Sequence, residues 1–415
     1  MNQVSRYILS LATVIGFTGL VYFICLVFHL PFLLSVPLVL ASWFLAVRWL
    51  NKKESSAKEE SSGKLGIIIL GIGIYLITSK AYVYAGKYGE WDAWAIWNMH
   101  ARYLVDTDHW KGLFQISAYA HTDYPLMLPA NIAFFSRLFA DKAMLLVPFG
   151  FHFLVTLCIP VLIFSELHKR STIVSTIALL LLATDEFYIR EGVAQYADTL
   201  LAFFFLCAFI AINHQERKES LIITGFMLGC CMWTKNEGVV LAGIFTMFYL
   251  PLLLRTRLLR YFVIGVALPL IVWAVFKMLY APANDIVSGQ GGSTWEYILQ
   301  ADRYKLIWDF LYNNLMLKFK VVFYAVVIYL AICIIFRRTP DKQLLIILTC
   351  LAAYMAIYVV TPHDLEWHLF TSQHRLLHQL LPVTIYALGR KFTREEDSPK
   401  SGWITTNFSV LRRPR

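Results

Sequence analysis

Leu65-Gly66-Ile67-Ile68-Ile69-Leu70-Gly71-Ile72-Gly73-Ile74-Tyr75-Leu76-Ile77 carries no charged side chain, and shortly afterwards the chain reads Gly89-Glu90-Trp91-Asp92-Ala93-Trp94-Ala95-Ile96-Trp97-Asn98. The first run has the composition of a helix that crosses the roughly 30 Å hydrocarbon core of a bilayer. In the second, tryptophans surround Asp92. Tryptophan settles at a membrane–water boundary because its ring is apolar while its N–H wants a polar partner. A carboxylate at the mouth of a membrane helix is costly to place there without a reason. Together the two stretches set the fold class, a helical membrane protein. They also single out Asp92, aimed from the outer interface at something that arrives along the bilayer, with a lipid-linked molecule as the candidate.

Composition agrees. Hydrophobic residues make up 58% of the 415 residues and charged residues 15%, against about 25% charged in a soluble domain. An all-α, polytopic membrane bundle is therefore expected. The apolar stretch over residues 7–28 is too long for a signal peptide and lacks a small-residue cleavage site, so it reads as a retained span. The seven cysteines all fall in apolar stretches with no CxxC spacing, which makes them small hydrophobes rather than disulfides or metal ligands. The sequon at Asn407 lies in the basic tail, so it gives no support for a glycosylated secretory-pathway protein, and a bacterial inner (cell) membrane is expected. The net charge of +10 sits in short loops, such as Lys52/Lys53, Lys169/Arg170, Arg255/Arg257/Arg260 and Arg337/Arg338. That alternation is the positive-inside pattern, a topology signal that excludes nucleic acid as the partner.

Hydropathy read with that rule predicts about twelve spans with both termini cytoplasmic. Their centres lie near Phe17, Leu40, Gly73, Phe153, Leu179, Phe205, Leu228, Phe245, Leu268, Val327, Ala352 and Ile385. Residues 1–390 form one integral-membrane domain and 391–415 a basic cytosolic tail; the Lys-, Glu- and Ser-rich stretch 51–64 is a solvated linker. Outer loops are expected at about residues 84–142, 281–318 and 361–378, with tight outer turns at 185–198 and 235–238. Residues 91–105 mix aromatic and polar side chains and read as an interfacial helix. Pro125 and Pro129 then force an extended or kinked approach to the next helix. All the charged residues of interest fall on one side of the membrane.

Four pieces in order carry a resemblance: the acidic residue in a long first outer loop, Tyr124-Pro125-Leu126 before the next helix, Tyr196-Ala197-Asp198 leading into Leu200-Leu201-Ala202-Phe203-Phe204, and the turn Trp233-Thr234-Lys235-Asn236-Glu237-Gly238. This set resembles the GT-C superfamily of integral-membrane glycosyltransferases. It is most similar to the bacterial group related to protein mannosyltransferases and to the aminoarabinose transferase of lipid A. The resemblance covers residues 65–260, and the remainder by topology alone. It implies an inverting transfer of a monosaccharide from a polyprenyl-phosphate donor to a cell-envelope acceptor (lipid, glycan or protein) at the outer membrane face. Such chemistry needs a base for the acceptor hydroxyl and cations for the departing phosphate.

By that resemblance Asp92 is the catalytic base or acceptor-orienting carboxylate; the plainer alternative is a cap on the following helix. Asp198, at the start of an apolar run, is either part of the site or a cap. Lys235 and Glu237 interrupt two apolar helices, so Lys235 is expected at the lipid phosphate and Glu237 beside it, with a simple Lys–Glu pair as the alternative. Arg375 precedes the last span, where a planar guanidinium can grip phosphate through two donors or snorkel to headgroups. His378 is expected to hydrogen-bond the donor. His374 and His378 share a helix face and with His368 or Asp364 raise zinc as a weaker idea; no HExxH is present, and no cofactor or metal is expected. Asp106-Thr107-Asp108 matches a DxD only superficially, and a divalent ion there stays open. The run Gly289/Gly291/Gly292 follows no strand and reads as a flexible loop. Glu90 faces away from Asp92 on a helix, and Arg190 and Glu191 are expected to pair with each other. A flippase or secondary transporter of a polyprenyl-linked glycan is the competing class, although transporters place charges near the midplane in paired repeats. A surface-polysaccharide polymerase or ligase is a third, weakened by the scatter of Arg102, Arg137 and Arg303.

Overall fold

The protein is described by a computed structural model over residues 3–50, 63–86, 88–116, 120–139, 145–215, 217–283 and 294–393. The linker 51–62, the Gly289/Gly291/Gly292 run and the tail from 394, with Asn407, lie outside the described residues. Among the described residues the chain is helical with no strand, the arrangement in which every backbone N–H and C=O is satisfied within its own segment. The first half runs α1 (Gln3–Val27), α2 (Phe32–Leu50), α3 (Lys64–Tyr84), a π-helical turn (Ala93–Trp97) leading into α4 (Asn98–Val105), and α5 (Met127–Leu138). It continues with α6 (Leu146–His168), α7 (Thr172–Thr184), α8 (Glu186–Val193) and α9 (Ala197–Ile212). There follow α10 (Lys218–Thr234), α11 (Glu237–Arg255), α12 (Leu259–Leu279), α13 (Thr294–Leu299) and α14 (Ala301–Leu317). The last are α15 (Lys320–Ile335), α16 (Lys342–Val360), α17 (Leu365–His368), a second π-helical turn (Leu369–Gln373) and α18 (His374–Phe392).

Each of the twelve expected centres falls inside a helix, yet among the described residues six helices are long and apolar enough to cross a membrane: α1, α3, α6, α11, α12 and α16. The number rises to eight if the bent pairs α7/α8 (63°) and α14/α15 (105°) each count as one span. Hydropathy counts more because it also takes in apolar helices too short for that test, α9 (Ala197–Ile212) among them. Every residue of α9 is buried, and so is nearly all of α10. A helix that is apolar all round is a core helix whether or not it meets lipid. The seven cysteines are all free and buried, Cys207, Cys230 and Cys231 in these two helices.

Close helix approach is carried by glycine. In Gly225-Phe226-Met227-Leu228-Gly229 the small residues face α12. A Cβ at Gly225 would lie 2.2 Å from the Phe262 carbonyl oxygen, and one at Gly265 would lie 1.9 Å from that of Ile222. The small-xxx-small pattern lets α10 and α12 touch backbone to backbone.

The segment expected as an interfacial helix packs one side into the helices as a wedge. Trp91 and Trp94 are exposed, but Trp97, His100, Ala101 and Leu104 are completely buried. The Tyr22 hydroxyl donates to the Leu104 carbonyl at 2.7 Å, and Trp97 stacks on Tyr124 with centroids 5.4 Å apart. His100 Nε2 donates to the Ala120 carbonyl at 2.8 Å. Burial pulls its pKa from 6.5 down to about 4.

Two outcomes are expected. Gly265→Val drives the α10 and α12 backbones apart and lowers the unfolding midpoint in detergent, at a cost of about 1–3 kcal/mol; an unchanged midpoint would remove the close contact. As pH falls from 6.5 to about 4, the unfolded chain binds a proton at His100 that the folded chain refuses, so stability drops through that window. His100→Gln makes the melting temperature less sensitive to pH between those values, measured against wild type.

Candidate functional site

Two unusual backbone positions bring the segment that carries Asp92 against the α8–α9 turn. Gly89 has φ +72°, and a Cβ there would meet the Ala194 carbonyl oxygen at 2.7 Å. Glu90 N–H donates to that same carbonyl at 3.1 Å. Gln195 is a non-glycine residue at φ +66°, a conformation that costs energy unless its surroundings fix it. Its side chain donates to the Gly86 carbonyl at 3.1 Å and accepts from Asn98 Nδ2 at 2.7 Å. The stitch holds Asp92 beside the extended Tyr196 that opens α9.

Five of the six site residues expected from sequence then meet in one chain of charges. Arg375 Nη1 donates to Asp92 Oδ2 at 2.5 Å and Nη2 faces Asp198 Oδ2 at 3.4 Å. Lys235 Nζ lies 3.0 Å from Asp198 Oδ1 and 3.1 Å from Glu237 Oε1. Gln379 Nε2 donates to Asp198 Oδ1 at 2.6 Å, and the Tyr354 hydroxyl donates to Gln379 Oε1 at 2.6 Å. Arg375 also rests on the Tyr196 ring, 4.6 Å from its centroid. Neither Asp92 nor Asp198 caps its helix; both carboxylates bond cations.

Exposure separates their roles. Asp198 and Lys235 are sealed, at 1% and 2%, whereas Arg375 (12%), Glu237 (19%) and Asp92 (22%) can be reached. Burial alone would lower the Lys235 pKa, but the carboxylates of Asp198 and Glu237 outweigh it and hold the ammonium above its ordinary value. Lys235 is a locked cation between two carboxylates.

His378 sits to the side. Its Nε2 pairs with the Thr199 hydroxyl at 3.1 Å, and its ring packs against Tyr188 and Phe187. His368 pairs with the Thr361 hydroxyl at 2.9 Å and His374 packs edge-on against Phe187. Among the described residues no three His, Cys, Asp or Glu side chains gather to hold a metal ion. Asp106 bonds its own neighbour His109 at 3.1 Å.

Several participants were not foreseen. Gln379 stands one turn beyond Arg375, at i+4, so a common face for the two was readable; Tyr354 and Gln195 gave no signal. Arg190 does not pair with Glu191: it reaches the exposed Glu90 at 3.2 Å, while Glu191 is buried with Oε2 lacking a hydrogen-bond partner. Neighbouring residues on a helix point in different directions, which is why the expected pair does not form. Arg375 Nε, His378 Nδ1 and Glu237 Oε2 are likewise buried without a partner. Buried polar atoms are rarely left so, which points to a polar ligand or water at these positions.

Compared with protein-family models, with curated proteins and with solved structures, the chain matches none.

Removing one member of the sealed pair should be expensive. Lys235→Met leaves Asp198 buried and under-compensated, and is expected to cost about 3–5 kcal/mol in detergent unfolding. Adding Asp198→Asn to Lys235→Met should recover part of that loss; a double variant no more stable than Lys235→Met would break the pairing argument.

Proposed function

We propose that this protein is an inverting glycosyltransferase of GT-C type, built on about twelve spans with both ends cytoplasmic in a bacterial inner membrane. In this reading it moves a monosaccharide from a polyprenyl-phosphate donor to a cell-envelope acceptor at the outer face. The observation that supports it best is the Asp92–Arg375–Asp198–Lys235–Glu237 chain of charges, drawn from loops and helix ends far apart in sequence. Five ionised groups collected in an apolar protein are costly, and such groups mark function more often than architecture.

The roles follow from access. Asp92 is the most exposed carboxylate in the chain of charges, so it takes the proton of the acceptor hydroxyl as that oxygen bonds the anomeric carbon. The carbon–oxygen bond to phosphate breaks in the same displacement, its electron pair leaves with the polyprenyl phosphate, and the anomeric centre inverts. No general acid is required for so good a leaving group. Arg375 offers the phosphate its guanidinium, a planar donor suited to an anion. Asp198 and Lys235, both sealed, keep Arg375 in place; the phosphate contact expected of Lys235 would require breaking two buried pairs.

A second reading has one observation in its favour. The bent pairs α7/α8 and α14/α15 resemble the broken helices on which secondary transporters build their sites. Flipping of a polyprenyl-linked glycan in vesicles without sugar transfer would support it.

Purified protein in lipid, given a panel of polyprenyl-phosphate sugars with crude envelope acceptors, is expected to release polyprenyl phosphate. Asp92→Asn should fold normally and lose at least about a hundredfold in rate, the lower end for removal of a general base. Turnover at the wild-type rate in Asp92→Asn would end the assignment.

A further inference from the structure

A phosphate cannot be held by the chain of charges as it stands. Asp92, Asp198 and Glu237 are three carboxylates against the two cations Lys235 and Arg375. The cluster carries an excess of negative charge, which repels an incoming anion. Another cation has to face the same space.

The cations around α8 are mostly committed. Lys80 donates to the Thr184 carbonyl at 2.8 Å and faces Glu186 at 3.8 Å. Arg190 is paired with Glu90. Lys318 differs: among the described residues it has no carboxylate partner, and it is half-buried at the elbow where α14 gives way to α15 at 105°. Its Nζ lies 4.8 Å above the Phe187 ring. That ring also touches His374 at 5.8 Å and His378 at 6.1 Å, and His374 is the residue before Arg375. On the other side the buried Glu191 feels the charge of both Lys318 and Arg375. Burial pulls the Lys318 pKa down, a desolvation cost that an anionic ligand would offset. Arg375 itself has a buried Nε with no partner.

We infer that Lys318 and the Nε edge of Arg375 form the phosphate subsite, taking a phosphate ester carried on a lipid. The inference rests on the glycosyl-transfer reading and shifts the phosphate away from Lys235. Lys318 supplies a point charge on a flexible stem and Arg375 a fixed donor edge, a division suited to an anion that must bind and then leave.

The test is binding to protein reconstituted in phosphatidylcholine nanodiscs, with a polyprenyl monophosphate and inorganic phosphate as separate probes. Lys318→Met is expected to weaken the polyprenyl monophosphate roughly tenfold or more, the worth of one charge-assisted hydrogen bond. Lys318→Arg should restore binding, and Lys305→Met, on the exposed face of α14, should leave it unchanged. Thermal unfolding of Lys318→Met and Lys318→Gln checks that the elbow still folds. Wild-type affinity in a folded Lys318→Met overturns the subsite while leaving glycosyl transfer standing. Binding of inorganic phosphate alone, or of neither probe, overturns the lipid assignment. Lys318-dependent binding of polyprenyl monophosphate by a protein that transfers no sugar upholds the subsite and removes the transferase instead.

Discussion

Asp198 is the constraint around which the rest of the site is arranged. A carboxylate at the first turn of a wholly buried helix cannot stay ionised without compensation. Lys235, Gln379 and the far nitrogen of Arg375 supply it. Those partners come from two distant parts of the chain: the α10–α11 turn, and two successive turns of α18. Satisfying one carboxylate therefore fixes the relative positions of α9, α10, α11 and α18. Arg375, held by Asp198, then has a second nitrogen to offer Asp92, so the segment that carries Asp92 is tied to the core through this guanidinium as well. The buried pairs cost stability compared with an apolar core, and what they return is a defined geometry.

The segment that carries Asp92 answers that geometry from its own side. Gly89 and Gln195 both adopt left-handed backbone, and each is held by hydrogen bonds across the same junction. Gly89 adopts it freely, whereas at Gln195 it is strained and persists only where neighbours over-determine it. Here it sets the distance between Asp92 and Tyr196, whose ring supports the Arg375 guanidinium. The junction is thus fixed by backbone at one end and by charge at the other.

What the sequence makes legible follows the same energetics. Asp92, Asp198, Lys235, Glu237 and Arg375 stand out because ionised groups in apolar surroundings are costly, so their presence is itself a signal. Gln379, Tyr354 and Gln195 do not stand out, because a neutral polar side chain in a helix or turn costs little until its surroundings are known. Arg190 and Glu191 mislead by adjacency: one turns to the exposed Glu90 and the other into the core. Hydropathy finds the helices but not their environment, since α9 is buried on every face by protein and would read the same if buried by lipid. The elbow cation Lys318 is invisible for a related reason, because its significance comes from the partner it lacks.

The split between sealed and reachable charges also argues for where chemistry belongs. A catalytic group must change protonation or partner during turnover, and each change at a fully buried, fully paired ion disturbs the fold that holds it. Asp198 and Lys235 are placed so that any such change would loosen α9 against α11. Asp92 has one cationic partner and an open side, so it can exchange a proton while Asp198 stays ionised and Arg375 stays anchored. Two carboxylates sharing one guanidinium thus divide the labour: the inner one keeps the cation in position, and the outer one is free to feel what the cation does.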